Sequence, residues 1–188
     1  MIIAGTDEVG RGSLAGPVVA AAVILKEKIY GLDDSKKLTP KKRDELSEEI
    51  FKKSYFGYGV VSNKKIDQIN ILKASLLAMK RAILNLPIRP SLVLIDGTYK
   101  LDLDIPMETI IGGDSCEDAI SAASIIAKVY RDNLMIEYDM KFPIYNFKSN
   151  KGYGTKDHLD TLKNYSYCDI HRKTFKGVLN RWAPYFLT

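Results

Sequence analysis

The feature that most limits the fold of this chain is the rhythm of its apolar runs. Residues 2–8 and 17–25 ("PVVAAAVIL") are short, apolar and without helical spacing, so each predicts a buried strand. "SYFGYGVVS" alternates well enough for a third strand, "SLVLID" at 91–96 predicts a fourth, and "METII" at 107–111 a fifth. Helical stretches fall between them. Thr39-Pro40 sets a capping residue before a proline at the first helical position, predicting a helix to about Lys53. Ile66, Ile69, Leu72, Leu76, Met79 and Ile83 recur at helical spacing and predict one helix over 64–85. Ser115, with Asp118 as its capping-box partner, predicts a long helix to about Met140. Its face of Ala119, Ala122, Ala123 and Ala127 is slim enough to lie close against a sheet. Shorter helices are predicted near 156–165 and 173–182. Strands interspersed with helices predict an α/β fold, a mixed central β-sheet flanked by α-helices with a helical C-terminal segment.

With 188 residues, 46% apolar and 27% charged, the chain is expected to form one domain over 1–188. No apolar run is long enough to span a bilayer, and no secretory leader is read at the N-terminus. Cys116 and Cys168 are expected to be reduced thiols in a cytoplasm. With only His158 and His171 beside them, they make a structural zinc site an unfavoured reading.

The net charge of +5 is unevenly spread. Residues 1–140 sum to −1 and residues 141–188 to +6, and the latter hold ten of the eighteen aromatics, among them Phe142, Tyr145, Phe147, Tyr153, Tyr165 and Trp182. Basic charge interleaved with rings suits a polyanion with stackable surfaces, and equally a helical C-terminus whose rings are core.

Carboxylates stand at strand ends. Asp7 and Glu8 close the first strand, Asp96 closes the fourth, and Asp114 precedes the long helix. Ligands of open α/β sheets bind beyond the carboxyl ends of strands, so these acids are expected to converge on one place. Unscreened, they would repel and shift each other's pKa values, and a hard divalent cation with oxygen ligands relieves that. Each acid alone has a plainer reading as a turn residue or a helix-terminus charge. Neighbours on an ideal strand also point to opposite faces, so Asp7 and Glu8 serve one site only if the strand twists or ends there. Gly10 and Gly12 follow at once. "GRGSLAG" loosely matches a dinucleotide fingerprint, but a strand-like run rather than a helix follows it, so a nucleotide cradle is the weaker reading. The glycines instead allow backbone and Arg11 to approach a ligand closely.

The blocks "GTDEVGRGSLAGPVVAAAV", "DDSKKLT", "LIDG", "GDS…ISAASIIAKVYRD" and "NKGYGTKDH", in order over residues 3–158, together resemble bacterial ribonuclease HII. The resemblance implies an RNase H-like fold and a metal-dependent endonuclease. Such an enzyme hydrolyses the RNA strand of RNA/DNA hybrids and nicks 5′ to ribonucleotides embedded in duplex DNA, in ribonucleotide removal, repair and replication. It implies two divalent ions, Mg²⁺ or Mn²⁺, at Asp7, Glu8, Asp96 and Asp114, with Asp118 and Asp132 as lower-ranked acids. Gly10, Arg11 and Gly12 would read the ribose 2′-hydroxyl, and Tyr153 would stack on the sugar 3′ to it. Lys36, Lys37 and the basic segment would hold phosphates, with Ser124 and Lys128 as lesser candidates. A monomer acting on duplexes, away from membranes, is expected. Two departures stand out: Gly112 replaces the lysine of many relatives, and the chain stops shortly after Trp182, which implies a weaker grip on the duplex. Ribonuclease HIII differs at the glycine-arginine-glycine loop. A silent duplex-binding module is disfavoured by the full acid set, and a resolvase or transposase core by the "GRG" and "KGYGT" blocks.

Overall fold

The computed structural model describes residues 1–179. Five strands, β1 (Ile3–Val9), β2 (Val18–Leu25), β3 (Ser54–Val61), β4 (Leu92–Asp96) and β5 (Met107–Ile110), form one sheet in the order β3-β2-β1-β4-β5. β1 and β3 flank β2 antiparallel, whereas β4 runs parallel to β1 and β5 parallel to β4. The predicted mixed sheet is therefore present.

β2 is the best-buried strand because both faces are covered. Val18, Ala20 and Ala22 turn toward α3 (Ile71–Leu84), packing with Ala74, Ala78 and Ala82. Ala21 and Val23 turn the other way, toward α4 (Asp118–Lys141) and α1 (Pro40–Lys53). The alanine face of α4 lies against β1 as its small side chains suggest. The approach is so close that a Cβ at Gly5 would collide with the backbone at Ala119 and Ile120.

Three predicted helices differ. The 64–85 helix is two, α2 (Asn63–Ile69) and α3, broken at Asn70. Asn70 sits at φ 67°, donates its backbone N–H to Ile66 and accepts from Lys73 N through its side chain, ending one helix and capping the next. The break rests on the backbone and side-chain bonds of this one asparagine, which an apolar stripe alone does not reveal. The long helix begins at Asp118, not Ser115. Residues Gly113–Ser115 form a 3₁₀ turn, Glu117 stands at the N-cap, and the Ser115 hydroxyl meets Lys37 Nζ at 3.3 Å, so the capping box is not formed. The helix predicted over 173–182 is replaced by turns as far as residue 179, and its remainder, with Trp182, lies outside the described residues. Within these turns the Asp67 carboxylate accepts from Lys173 N, Thr174 N and the Thr174 hydroxyl, tying the segment to α2.

The C-terminal segment, with α5 (Phe147–Asn150) and α6 (Lys156–Tyr165), packs on the far end of α4. Tyr145, Phe147, Leu162 and Ile170 join Leu14, Ala15 and Met135 in a separate core. Of its aromatics, Tyr145 and Phe147 are thus core residues rather than stacking surfaces.

Candidate active site

The site begins with strand register. β1 and β4 pair in parallel with Thr6 opposite Ile95, so the next residue of each strand, Asp7 and Asp96, emerges from the same end of the sheet. Asp7 is only 6% exposed. Burial, then the charges of Glu8 and Asp96, push its pKa well above the usual carboxylate range, against the Ser124 hydroxyl and the Glu8 N–H. Glu8 is the neighbour that should point away. At the strand's end it turns to the same cleft, where Arg11 Nη1 donates to its Oε1 at 3.1 Å. Burial raises the Glu8 pKa and Arg11 opposes that.

Asp96 ties the third acid to the fourth. Its Oδ1 accepts from Gly113 N at 2.8 Å, which holds the turn carrying Asp114. Asp114 is 7% exposed, and its pKa is raised by burial and by the charges of Asp34 and Asp96, with Lys36 opposing. Asp34 is an acid that the sequence reading did not single out. Lys36 Nζ lies 3.9 Å from Asp34 and 3.8 Å from Asp114. Burial disfavours its charge, but Asp34, Asp114, Asp7 and Asp96 outweigh that and raise its pKa. Lys36 is thus the cation between Asp34 and Asp114, as Arg11 is beside Glu8. Among the described residues, no three His, Cys, Asp or Glu side chains stand in a ready-made metal-binding group.

A cleft of about 630 Å³ opens over these groups. Asp7, Glu8 and Asp96 line it with Gly10, Arg11, Gly12, Lys36, Ser124, Lys128 and Tyr153. Ser35 and Arg43, which sequence reasoning missed, line it too. Ser35 shares a 2.9 Å hydrogen bond with Ser124, and Arg43 donates to the carbonyls of Ser35 and Leu38, fixing the segment that carries Lys36. Asp114 does not line the cleft but is joined to it through Lys36 and the Asp96–Gly113 contact. Lys37 also lies outside the wall, bonded to Asp33 and Ser115. Asp132 pairs with Lys128 at 2.7 Å, and Asp118 starts α4.

The Gly10–Gly12 loop and Tyr153 line this cleft together although 140 residues lie between Gly12 and Tyr153 in the sequence. Ser13 and Tyr153 form an isolated antiparallel bridge, and Leu14 N donates to Gly152 O at 2.7 Å. Two further residues escaped the sequence reading, the buried Arg131 and Arg172. The one signal for Arg131 was its place four residues after Ala127 on the apolar face of α4.

Comparison with known proteins decides the family. The pattern of the family described as Ribonuclease HII matches residues 4–178. The chain belongs to the ribonuclease HII family. The ribonuclease HII of Geotalea daltonii is 54% identical over 179 residues, covering 94% of this chain and 83% of that protein. The ribonuclease HII of Thermotoga maritima is 48% identical, covering 95% of this chain and 74% of that protein. Among solved structures, ribonuclease H2 of Pyrococcus horikoshii superposes with a TM-score of 0.79 at 27% identity, over 95% of both chains. Ribonuclease HII of Archaeoglobus fulgidus, solved as a complex with PCNA, gives 0.80 at 25% identity, over 100% of this chain and 98% of that one. A ribonuclease HIII solved with Mn²⁺ shares the fold at 0.71 and 20% identity, over 95% of this chain and 68% of that one. As a ribonuclease HII family member the chain is an enzyme, a ribonuclease with the RNase H-like fold. No helix among the described residues is long and apolar enough to cross a membrane.

Proposed function

We propose that this single-domain chain is an endonuclease that hydrolyses the RNA strand of RNA/DNA hybrids and nicks duplex DNA 5′ to embedded ribonucleotides. The products carry 3′-hydroxyl and 5′-phosphate ends, and the role is ribonucleotide removal in repair and replication. The observation that carries the reading is the parallel register of β1 and β4, which sets Asp7 beside Asp96 at the floor of a cleft walled by the Gly10–Gly12 loop and Tyr153.

The donor set suits hard divalent cations. It is all oxygen, and Asp7, Glu8 and Asp114 are held above their usual pKa by burial and by neighbouring negative charge, a cost that a cation removes. Asp7, Glu8, Asp96 and Asp114 would hold two ions, Mg²⁺ or Mn²⁺, with water and phosphate oxygens filling the remaining positions. When bound, such ions make an attacking water more acidic and offset charge on the leaving 3′ oxygen.

The chain's own residues then select the substrate. Gly12 lines the cleft, and a Cβ there would meet nothing within 4 Å, so the protein itself does not demand glycine. The bare position leaves room for a ribose beside the backbone. Arg11, with its side chain 53% exposed, reaches from the same loop. Tyr153 offers its ring to the sugar on the 3′ side. Lys36 yields the acids to the cations and, with Lys37, turns to the phosphates. Ser124 holds Asp7 in place. The protein acts as a monomer on duplexes in the cytoplasm. Divalent-ion-dependent nicking of a duplex with one embedded ribonucleotide, beside an all-DNA duplex, tests this reading and separates it from a silent binding module or an unselective nuclease.

A further inference from the structure

Arg131 and Arg172 are both 0% exposed, and among the described residues neither forms an ion pair. Burying a guanidinium is costly unless its donors are satisfied. Here every hydrogen bond found goes to a backbone carbonyl. Arg172 donates from Nη2 to Gly10 O at 2.7 Å, from Nη1 to Arg11 O at 2.8 Å and from Nε to Gly16 O at 3.0 Å. Arg131 donates from Nε to Pro17 O at 3.0 Å, from Nη2 to Ala15 O at 3.1 Å and from Nη1 to Lys151 O at 2.9 Å. Five of these acceptors belong to the 10–17 loop, and the sixth to the turn carrying Tyr153. The Arg131 guanidinium also lies 5.6 Å from the centre of the Tyr153 ring.

We propose that Arg131 and Arg172 are positioning residues for ribonucleotide recognition, whose two guanidinium forks hold the Gly10–Gly12 backbone and Tyr153 at a fixed separation. The proposal rests on the functional reading above, in which the loop reads a ribose and Tyr153 the next sugar.

Peptide geometry shows how the hold acts. In a trans peptide the C=O and N–H point to opposite sides. With the carbonyls of Gly10 and Arg11 turned inward to Arg172, the N–H groups of Arg11 and Gly12 point away from it. Among the described residues neither N–H has a protein acceptor, so both are free to meet a 2′-hydroxyl. Gly10 shows how tight the packing is: it adopts φ +92°, and a Cβ would collide with Arg131 Nε. Burial and the charge of Arg131 push Arg172 down to about 9, so it stays cationic near neutrality. Lysine keeps the charge, but its three donors radiate from a single nitrogen and cannot span carbonyls that Arg172 reaches from three separate nitrogens.

The test uses binding in an Asp7→Asn background, where cleavage does not interfere. Affinities are measured for a duplex with one ribonucleotide and for the same duplex in all-DNA form. The parent prefers the ribonucleotide. Arg172→Lys and Arg131→Lys each lower that preference at least fivefold and leave all-DNA affinity within twofold. A folded variant that keeps the full preference overturns the proposal. A parent without any preference overturns the functional reading itself, and the proposal with it. Hydrogen exchange on the unsubstituted protein stands even if both variants misfold. Ser13 N–H, Leu14 N–H and Gly16 N–H, bonded to Gly10 O, Gly152 O and Ile170 O, exchange as slowly as the sheet if the loop is held. Exchange at the rate of an open loop overturns the proposal.

Discussion

His158 and His171 meet Nε2 to Nε2 at 3.0 Å inside the protein, both with no exposed surface. Their outer nitrogens decide where the protons sit. Cys168 N donates to His171 Nδ1 at 3.0 Å, so that nitrogen is an acceptor. His158 Nδ1 faces Tyr153 O at 2.8 Å, and a carbonyl only accepts, so that nitrogen carries a proton. His171 therefore donates to His158, and both rings are neutral. A further proton on either ring sets donor against donor.

Acid should weaken the fold through this pair. Burial and then the charge of His158 hold His171 down to about 4, and burial lowers His158. An unfolded histidine titrates near ~6.5. Between about 6.5 and 4 the unfolded chain thus binds more protons, and stability falls as the pH falls, by up to ~1.4 kcal/mol per pH unit for one histidine. Denaturant unfolding of His171→Asn should show a pH slope shallower by about one proton. An unchanged slope contradicts the assignment.

Lys36 should compete with divalent cations. Its ammonium is the positive charge among Asp34, Asp114, Asp7 and Asp96. In Lys36→Met, thermal stabilisation by Mg²⁺ should reach half its maximum at a lower Mg²⁺ concentration than in the parent. Equal midpoints would show that the lysine and the ions occupy separate places.

Tyr153 should act through its ring. The half-buried side chain lines the cleft, and the bond to His158 uses only its backbone, so replacement leaves the histidine pair intact. A ring stacked on a base is worth about 1–3 kcal/mol, and a ring on a sugar face falls at the lower end, roughly fivefold in activity on a duplex with one ribonucleotide. Tyr153→Ala should show that loss, and Tyr153→Phe much less. Equal small losses on that duplex and on a uniform hybrid would make Tyr153 structural.

Much of the fold was legible because strand runs and caps are local. All five strands fall where apolar runs, alternation and β-branching put them, and Thr39 caps α1 as read, accepting from Lys42 N. The acids were legible as strand ends, although Asp34, in contact with Asp114, drew no notice among the charges around it. What escaped depends on distant partners. The acceptors of Arg172 in the 10–17 loop lie more than 150 residues away and are backbone atoms, which no side-chain pattern encodes. The aromatics at 145 and 147 fit either core or surface until the histidines they pack against were placed.

Salt dependence should reside in the exposed part of the basic segment. Lys148 and Lys156 are exposed, whereas Lys163 pairs with Asp160 at 3.0 Å and Lys151 Nζ donates to Lys148 O. Each phosphate that no longer meets a lysine takes about 0.9 from the slope of log affinity against log salt. Lys148→Gln with Lys156→Gln should flatten the slope by one to two such steps. Because Tyr145, Phe147 and Leu162 belong to a core, neutralisation is the appropriate change rather than truncation. An unaltered slope would turn this face away from the nucleic acid.

The most direct measurement is cleavage by Asp7→Asn beside the parent, with Mg²⁺ or Mn²⁺, on a duplex carrying one ribonucleotide and on its all-DNA counterpart. Removing the buried carboxylate should cost several kcal/mol of transition-state stabilisation, about a thousandfold or more in rate. It should also raise the melting temperature without metal, since burial and the neighbouring acids raise the Asp7 pKa in the folded chain and the group therefore disfavours folding near neutral pH. The account predicts that the parent nicks only the ribonucleotide duplex, on its 5′ side and only with divalent ions, and that Asp7→Asn is folded and nearly inactive. Substantial divalent-dependent nicking by folded Asp7→Asn, or equal cutting of both duplexes by the parent, would contradict it.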